Sequence, residues 1–313
     1  MAGTIDRKPT VTGSHKGEPL EGRLALIWSL AQDIHAQRPD LQDAFADPGS
    51  EEFWIWMNCF GLQEYQAVSD LLVPIPPAHV RAFVGNTSEL GFLLTGASIY
   101  RLLTRIADEV GRPLSSFSAT LDFGCGPGRG LRYLLKYAPT VACTGLDIDT
   151  TAIRWCHDHF PFGEFRTNGE VPPTDLRPAT FDLIYAISVF SHLAEENHLA
   201  WLDELRRLAK QDGILVLTVH GEHALRRAMS EEAPFRMLQV TRADLWSAQQ
   251  ELSSRDYAFI RQPGGHLNTD LYGVAFISKE YVIRRWGQDF EVLSYLEGAI
   301  DNWQGAAVLR LRR

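Results

Sequence analysis

The stretch Gly124-Cys-Gly-Pro-Gly-Arg-Gly130 sets four glycines into seven residues, directly after the apolar run "ATLDF" and its carboxylate Asp122. Glycine permits positive φ and lets a ligand approach the main chain without meeting a Cβ, whereas a tight turn alone needs only one or two. A phosphate-binding loop would require Lys followed by Ser or Thr after its last glycine, and "GPGRGLR" has neither. The dinucleotide pattern G-x-G-x-x-G fails from Gly124, because position 129 is Arg, and fails again from Gly126. What remains is an acidic strand end, Asp122, ahead of Gly124, Gly126 and Gly128, with a second carboxylate, Asp147, closing the next apolar run "VACTGLDI". Asp149 and Thr150 already supply a cap for the helix that follows it.

Proton transfer needs a group that titrates near neutral pH, and imidazole is that group. His192, just past "FDLIYAI", is the first candidate base; His220, in "TVHGEH", is the second, with His223 and His266 behind them. His220 and His223 flank Glu222 at a spacing able to hold a metal, but no third ligand can be specified, and no metal site is expected. Arg81 is a candidate for pairing a ligand carboxylate, and the aromatic cluster from Phe53 to Phe60 reads as helical core rather than a substrate cage.

The elements that must position these groups change character near residue 116. Residues 1–19 mix Gly, Pro, Thr, Lys and Glu and read as a mobile tail. A helical region of residues 20–115 follows. Its apolar spacing runs to about Leu72, "PIPP" interrupts it, and a second helical segment from Ser88 to Val110 stops at Gly111 and Pro113. From 116 to 313 strand and helix alternate. The strands are "ATLDF", "VACTGLDI", one ahead of Asn168, "FDLIYAI" and "GILVLTV"; the helices are Arg129–Tyr137, Thr150–His159 and Glu195–Lys210. Alternation of this kind means a doubly wound, mostly parallel α/β sheet. "FEVLSYL" and "AAVLRLRR" are too close for a crossover helix, so the last strand should be antiparallel, giving seven strands in all. Residues 231–270, with the glycine-containing "RQPGGHLNTD", read as an insertion that covers the substrate.

Composition narrows the class. A formal charge of -9 over 313 residues disfavours a nucleic-acid partner, and no apolar run approaches the roughly 20 residues of a membrane helix. The N-terminus lacks the apolar core of a signal peptide, so a cytoplasmic protein is expected. Four cysteines without paired spacing read as free thiols.

With these residues in place, "LDFGCGPGRGLRYL" followed by "GLDID" resembles the first motif and its partner in class I S-adenosylmethionine-dependent methyltransferases. "FDLIYAISVFSHL" resembles that family's fourth strand and loop, and "WLDELRRLAKQDGILVLTVHG" its next helix and strand; the likeness covers about Gly96 to the C-terminus. It implies a Rossmann-like methyltransferase fold and S-adenosyl-L-methionine as cofactor. Gly124, Cys125 and Gly126 would follow the amino-acid and ribose part of the cofactor, with Gly128 in the same loop and Asp122 near the methionyl amine. Asp147 would hold the ribose hydroxyls, Ile148 would pack on the adenine, Asn168 would meet the adenine edge, and Ala186 and Ile187 would line the cofactor beside the methyl. The loop "RTNGEVPP" departs from the family's commoner acidic version. "YGVAFISKEYVIRRW" resembles bacterial members, and "QRPDLQDAFADP" is similar to helical regions attached to bacterial glycan-modifying proteins. The expectation is methyl transfer to a hydroxyl of a small molecule or saccharide, with homodimerisation open. The alternatives are a non-catalytic cofactor-binding homologue and, third, an NAD-dependent oxidoreductase.

Overall fold

The computed structural model describes residues 20–61, 65, 72–85, 88–137, 142–160, 162–262 and 267–312. The expected tail of residues 1–19 and the candidate His266 lie outside them.

A central sheet of seven strands has β1 (Ala119–Phe123), β2 (Ala142–Asp147), β3 (Glu164–Thr167), β4 (Phe181–Ala186) and β5 (Ala209–Val219) all parallel. Two further strands, β8 (Phe290–Ile300) and β9 (Gln304–Leu311), complete it in the order β3-β2-β1-β4-β5-β9-β8, with β9 antiparallel to both neighbours. This is the mostly parallel, doubly wound sheet that strand–helix alternation dictates. Strand order reverses between β1 and β4, where such sheets open a crevice at the carboxyl ends.

Period-two alternation sends successive side chains to opposite faces, and both faces are covered. Leu183 and Tyr185 of β4 pack with Ile99, Leu131 and Ile153 on one side. Ile184 and Ala186 pack with Trp201, Leu205 and Trp286 on the other. The covering helices on the first side are α5 (Glu89–Glu109), α6 (Leu131–Tyr137) and α7 (Thr150–His159); α8 (Glu195–Leu208) lies on the second. Ser88 caps α5 by accepting from Gly91 N at 3.0 Å, and Gly111 beyond its end has φ +71. Two boundaries differ from expectation. Helix α6 starts at Leu131, because Arg129 and Gly130 still belong to the loop. Helix α8 ends at Leu208, because Ala209 is extended and pairs with Phe181.

Ahead of the sheet, α1 (Leu20–Gln37), α2 (Pro39–Ala44), α3 (Glu51–Trp56) and a π-helical turn over Met57–Gly61 build a second core against α5, and the short α4 (Ala78–Arg81) follows them. Phe53 is fully buried there and stacks on Trp56 at 5.8 Å, so this part of the aromatic cluster is packing, whereas Phe60 at its end is exposed.

Beyond β5 come α9 (Glu222–Ser230), α10 (Glu232–Leu238), α11 (Arg242–Arg255), β6 (Tyr257–Arg261), β7 (Gly273–Ile277) and α12 (Lys279–Arg285). The segment 231–270 is therefore largely regular structure. Its strand β6 pairs antiparallel with β7 in a separate two-stranded sheet, and a Thr241–Asp244 capping box starts α11. That hairpin is stitched to the main domain by Ile277 N donating to the His220 carbonyl at 2.8 Å and Ala194 N donating to the Leu271 carbonyl at 2.8 Å. None of the four cysteines is in a disulfide, and among the described residues no helix is long and apolar enough to cross a membrane.

Helices α5 and α6 touch through Gly96, where a Cβ would lie 2.5 Å from the Arg129 carbonyl and 2.8 Å from the Tyr133 ring. Gly96→Ala should lower stability by about 1–3 kcal/mol through overpacking, despite alanine's better helix propensity. Urea unfolding measures this, and a variant as stable as the parent would show the contact to be loose.

Candidate active site

The glycine loop is held against the end of β2. Gly124 N and Cys125 N donate to the Leu146 carbonyl at 2.8 and 2.9 Å, and Gly126 N donates to Asp147 Oδ2 at 2.6 Å. Gly124 has φ +79 and Gly126 φ +51. With these amides spent inside the fold, the loop has no fan of free N–H groups for a phosphate. Its offering to a ligand is a bare main-chain edge beside two carboxyl groups.

That edge borders a cavity of about 780 Å³ above the carboxyl ends of β1, β2, β4 and β5, within the range of small-molecule sites. Of the residues singled out from the sequence, Asp122, Gly124, Cys125, Asp147, Ile148, Asn168, Ile187, His192 and His220 all line it. Others are placed elsewhere. Gly126 backs onto Val84, whose Cγ1 would lie 2.5 Å from an added Cβ. Gly128 backs onto the Phe160 ring, so its role is in the packing beneath the loop. Ala186 is fully buried in the core because β4 alternation turns it from the wall that Ile187 forms. Arg81 is buried, bonded to the Pro76 carbonyl and 3.7 Å from Glu89, and is not on the wall.

Asp122 is 3% exposed and accepts a hydrogen bond from the Tyr185 hydroxyl at 2.9 Å. Burial pushes its pKa up to about 7, with the neighbouring Asp147 charge adding to the rise and the Tyr185 bond and Arg129 opposing it. Burial also raises Asp147, while amide bonds from Asp149 and Gly126 pull it back. Asp147 Oδ1 accepts from Asp149 N at 2.8 Å, so each carboxylate oxygen holds one amide and retains capacity for another donor. Asn168 is anchored by its own N–H on the Asp147 carbonyl at 3.1 Å, and its Oδ1 has no partner among the described residues.

The two candidate bases differ in what their nitrogens do. His192 Nδ1 lies 2.8 Å from the Gly273 carbonyl, which can only accept. Nδ1 therefore carries the proton, and Nε2 is left with the lone pair. Burial holds the pKa of this ring below the usual histidine value. His220 Nε2 is 3.0 Å from Trp303 Nε1, and an indole N–H can only donate, so that lone pair is occupied. Burial, and secondarily His192, hold His220 well below the ordinary value. His192 is thus the one of the pair with a free acceptor nitrogen; the rings meet edge to face at 5.7 Å. His223 bonds the Asn302 side chain at 3.0 Å. Among the described residues no group of three His, Cys, Asp or Glu side chains could hold a metal ion.

Wall residues that the sequence did not reveal come from distant segments. Val84 and Gly85 precede α5; Pro234, Met237 and Leu238 belong to α10; Asp301, Trp303 and Gln304 come from the β8–β9 turn; and Ser188 follows β4. No motif announces them, because only the return of β9 beside β5 brings the turn to the site.

Residues 121–215 match the protein family described as a methyltransferase domain. Trans-aconitate 2-methyltransferase of Rhizobium rhizogenes is 29% identical over 105 residues, which is 34% of this chain and 40% of that enzyme. Among solved structures, a S-adenosylmethionine-dependent methyltransferase from Clostridium acetobutylicum superposes with a TM-score of 0.47 at 9% identity, covering 69% of this chain and 92% of its own. One from Aquifex aeolicus gives 0.44 at 15% identity over 76% and 99%. Over residues 121–215 the chain is thus similar to methyltransferase domains, and it spans 40% of the curated relative's length.

The raised Asp122 carboxyl has a consequence for folding. Its native form keeps a proton that the unfolded chain releases near 3.8, so this residue's contribution to stability is present below about pH 4 and is lost as pH climbs to about 7. The depressed histidines act with the opposite sign, losing stability as pH falls through 6.5 and below. Comparison with Asp122→Asn isolates the carboxyl. The variant should gain on the parent between pH 4 and 7 by up to about 4 kcal/mol, read from urea midpoints; a constant difference would refute the assignment.

Proposed function

We propose that the protein transfers a methyl group from S-adenosylmethionine to a hydroxyl of a small molecule or saccharide. The observation that carries this is the presence, in one cavity, of the Asp122–Asp147 cradle and a neutral histidine with a free lone pair. The curated relative is named for a small molecule, trans-aconitate, which supports that class of acceptor.

The residues on the wall suit the cofactor. Asp122, buried and proton-hungry at neutral pH, gains from an ammonium group beside it, which favours its ionised form. Asp147 has acceptor capacity left for a vicinal diol, Ile148 offers apolar surface to a purine, and the unpartnered Asn168 Oδ1 matches an exocyclic amine. When bound, S-adenosylmethionine supplies a methyl carbon activated by its sulfonium. The chain's own task is to hold the nucleophile in line with that carbon and to take its proton. His192 Nε2 takes it, oriented by the Gly273 carbonyl behind Nδ1. The segments before α5 and around α10 flank the opening and act as the cover over the acceptor. A cavity that reaches His192 counts against a protein that only stores the cofactor.

Asp147→Ala should weaken S-adenosylhomocysteine binding by about 10- to 150-fold, measured by calorimetry, since charge-assisted hydrogen bonds disappear. An unchanged dissociation constant would remove the cofactor from this position. His192→Gln should lower turnover of a labelled-methyl assay by about 10²- to 10⁴-fold with that binding intact. In the parent, the acid limb of kcat/KM should fall below pH 6.5, because burial keeps the base unprotonated there; a limb above 6.5 would point to another group.

A further inference from the structure

Ser188 stands at the carboxyl end of β4 in a left-handed backbone, φ +61, that a non-glycine residue adopts at a cost. Three hydrogen bonds hold it there. Ser188 N donates to Thr218 Oγ1 at 2.8 Å, Thr218 Oγ1 donates to Gln304 Oε1 at 2.6 Å, and Gln304 Nε2 donates to Ser188 Oγ at 2.6 Å. The amide orientation follows from proton accounting. Were Gln304 reversed, the Thr218 proton would be left with the Ala186 carbonyl at 3.4 Å instead of an acceptor at 2.6 Å. With Thr218 and Gln304 both buried, the ring is closed on one side by the fold. Ser188 Oγ is an acceptor within it, and its own proton has no acceptor among the described residues. Ser188 itself is half-buried and lines the cavity, four residues before His192 in the same loop.

We propose that Ser188 donates its hydroxyl proton in a hydrogen bond to the acceptor oxygen whose proton His192 receives, and that this pair selects oxygen over nitrogen nucleophiles. The inference rests on the methyl-transfer function above and goes beyond it by naming the atom that is recognised. A hydroxyl oxygen has two lone pairs: one attacks the methyl carbon and the other accepts from Ser188, while its O–H points at His192 Nε2. A neutral amine has a single lone pair, which the attack consumes, so the Ser188 donor would face an N–H or nothing. In the step, the oxygen–carbon bond forms as the carbon–sulfur bond breaks. Its electron pair stays on sulfur, and the hydroxyl proton passes to His192 and then to solvent. Thr218 and Gln304 are positioning residues, acting on the substrate only through Ser188.

The test uses the full chain, labelled S-adenosylmethionine and paired acceptors that differ in one atom: lactate and alanine, methyl glucoside and methyl glucosaminide, phenol and aniline. Methylation should favour the hydroxyl member of any pair accepted. Ser188→Ala and Ser188→Gly should each lower kcat/KM by about 10- to 100-fold while S-adenosylhomocysteine affinity stays within about twofold. Thr218→Val should mimic them, and Thr218→Ser, which rebuilds the ring, should rescue the loss. Glycine is the decisive variant, because it removes the hydroxyl and suits the left-handed backbone better than serine. Full activity in Ser188→Gly, or preferential methylation of amines, would overturn the proposal and leave methyl transfer standing. A parent chain that fails to bind S-adenosylhomocysteine would instead overturn the methyl-transfer function itself.

Discussion

The hydrogen bond from the Gly126 amide to the Asp147 carboxylate ties the loop after β1 to the end of β2, and the ligand side of the sheet takes its shape from that tie. Parallel neighbours finish at the same edge, so two carboxyl-terminal ends can be laced together across one strand spacing. Because the loop spends its amides on β2, it borders the cavity with Gly124 and Cys125 rather than with a positive nest. An anionic ligand gains little from such a surface. A ligand that carries an ammonium and a diol gains from the two carboxyl groups set into it.

The remainder of the site is assembled from far apart in the chain. His192 is fixed by a carbonyl of β7, 81 residues away, and His220 by an indole 83 residues away. Both rings sit in surroundings that disfavour charge, which keeps their nitrogens in one protonation state and makes the hydrogen-bond roles definite. The antiparallel β9 is what allows this. It delivers Trp303 and Gln304 to the ends of β4 and β5, where a parallel strand would have delivered its own carboxyl terminus and a crossover.

Much of this was legible before any coordinates. The local rules are strong for "ATLDF", for the helix bounded by Ser88 and Gly111, and for the helix Thr150–His159, whose cap is Asp149. The cavity-facing Asp122, Asp147, Asn168 and His192 were legible too, since each lies at a strand end or in the loop after one. What stayed hidden depends on pairing rather than pattern. The left-handed Ser188 has no signature in "AISVF", because serine seldom adopts that backbone. Strand β6 falls inside the segment 231–270 that reads as a cover, and it pairs with no strand of the main sheet. Ala186 and Ile187 look equivalent in sequence, yet one peptide step sends them to opposite sides.

The thiol of Cys125 is packed in the core beneath the loop with its Sγ 3.3 Å from the Gly126 carbonyl, and burial pushes its pKa well above the ordinary cysteine value. The thiolate, not the thiol, is the nucleophilic form. In the proposed methyl transfer, a thiolate beside the cofactor would be a competing nucleophile. By keeping the sulfur protonated, the same apolar packing that firms the loop leaves it a poor nucleophile.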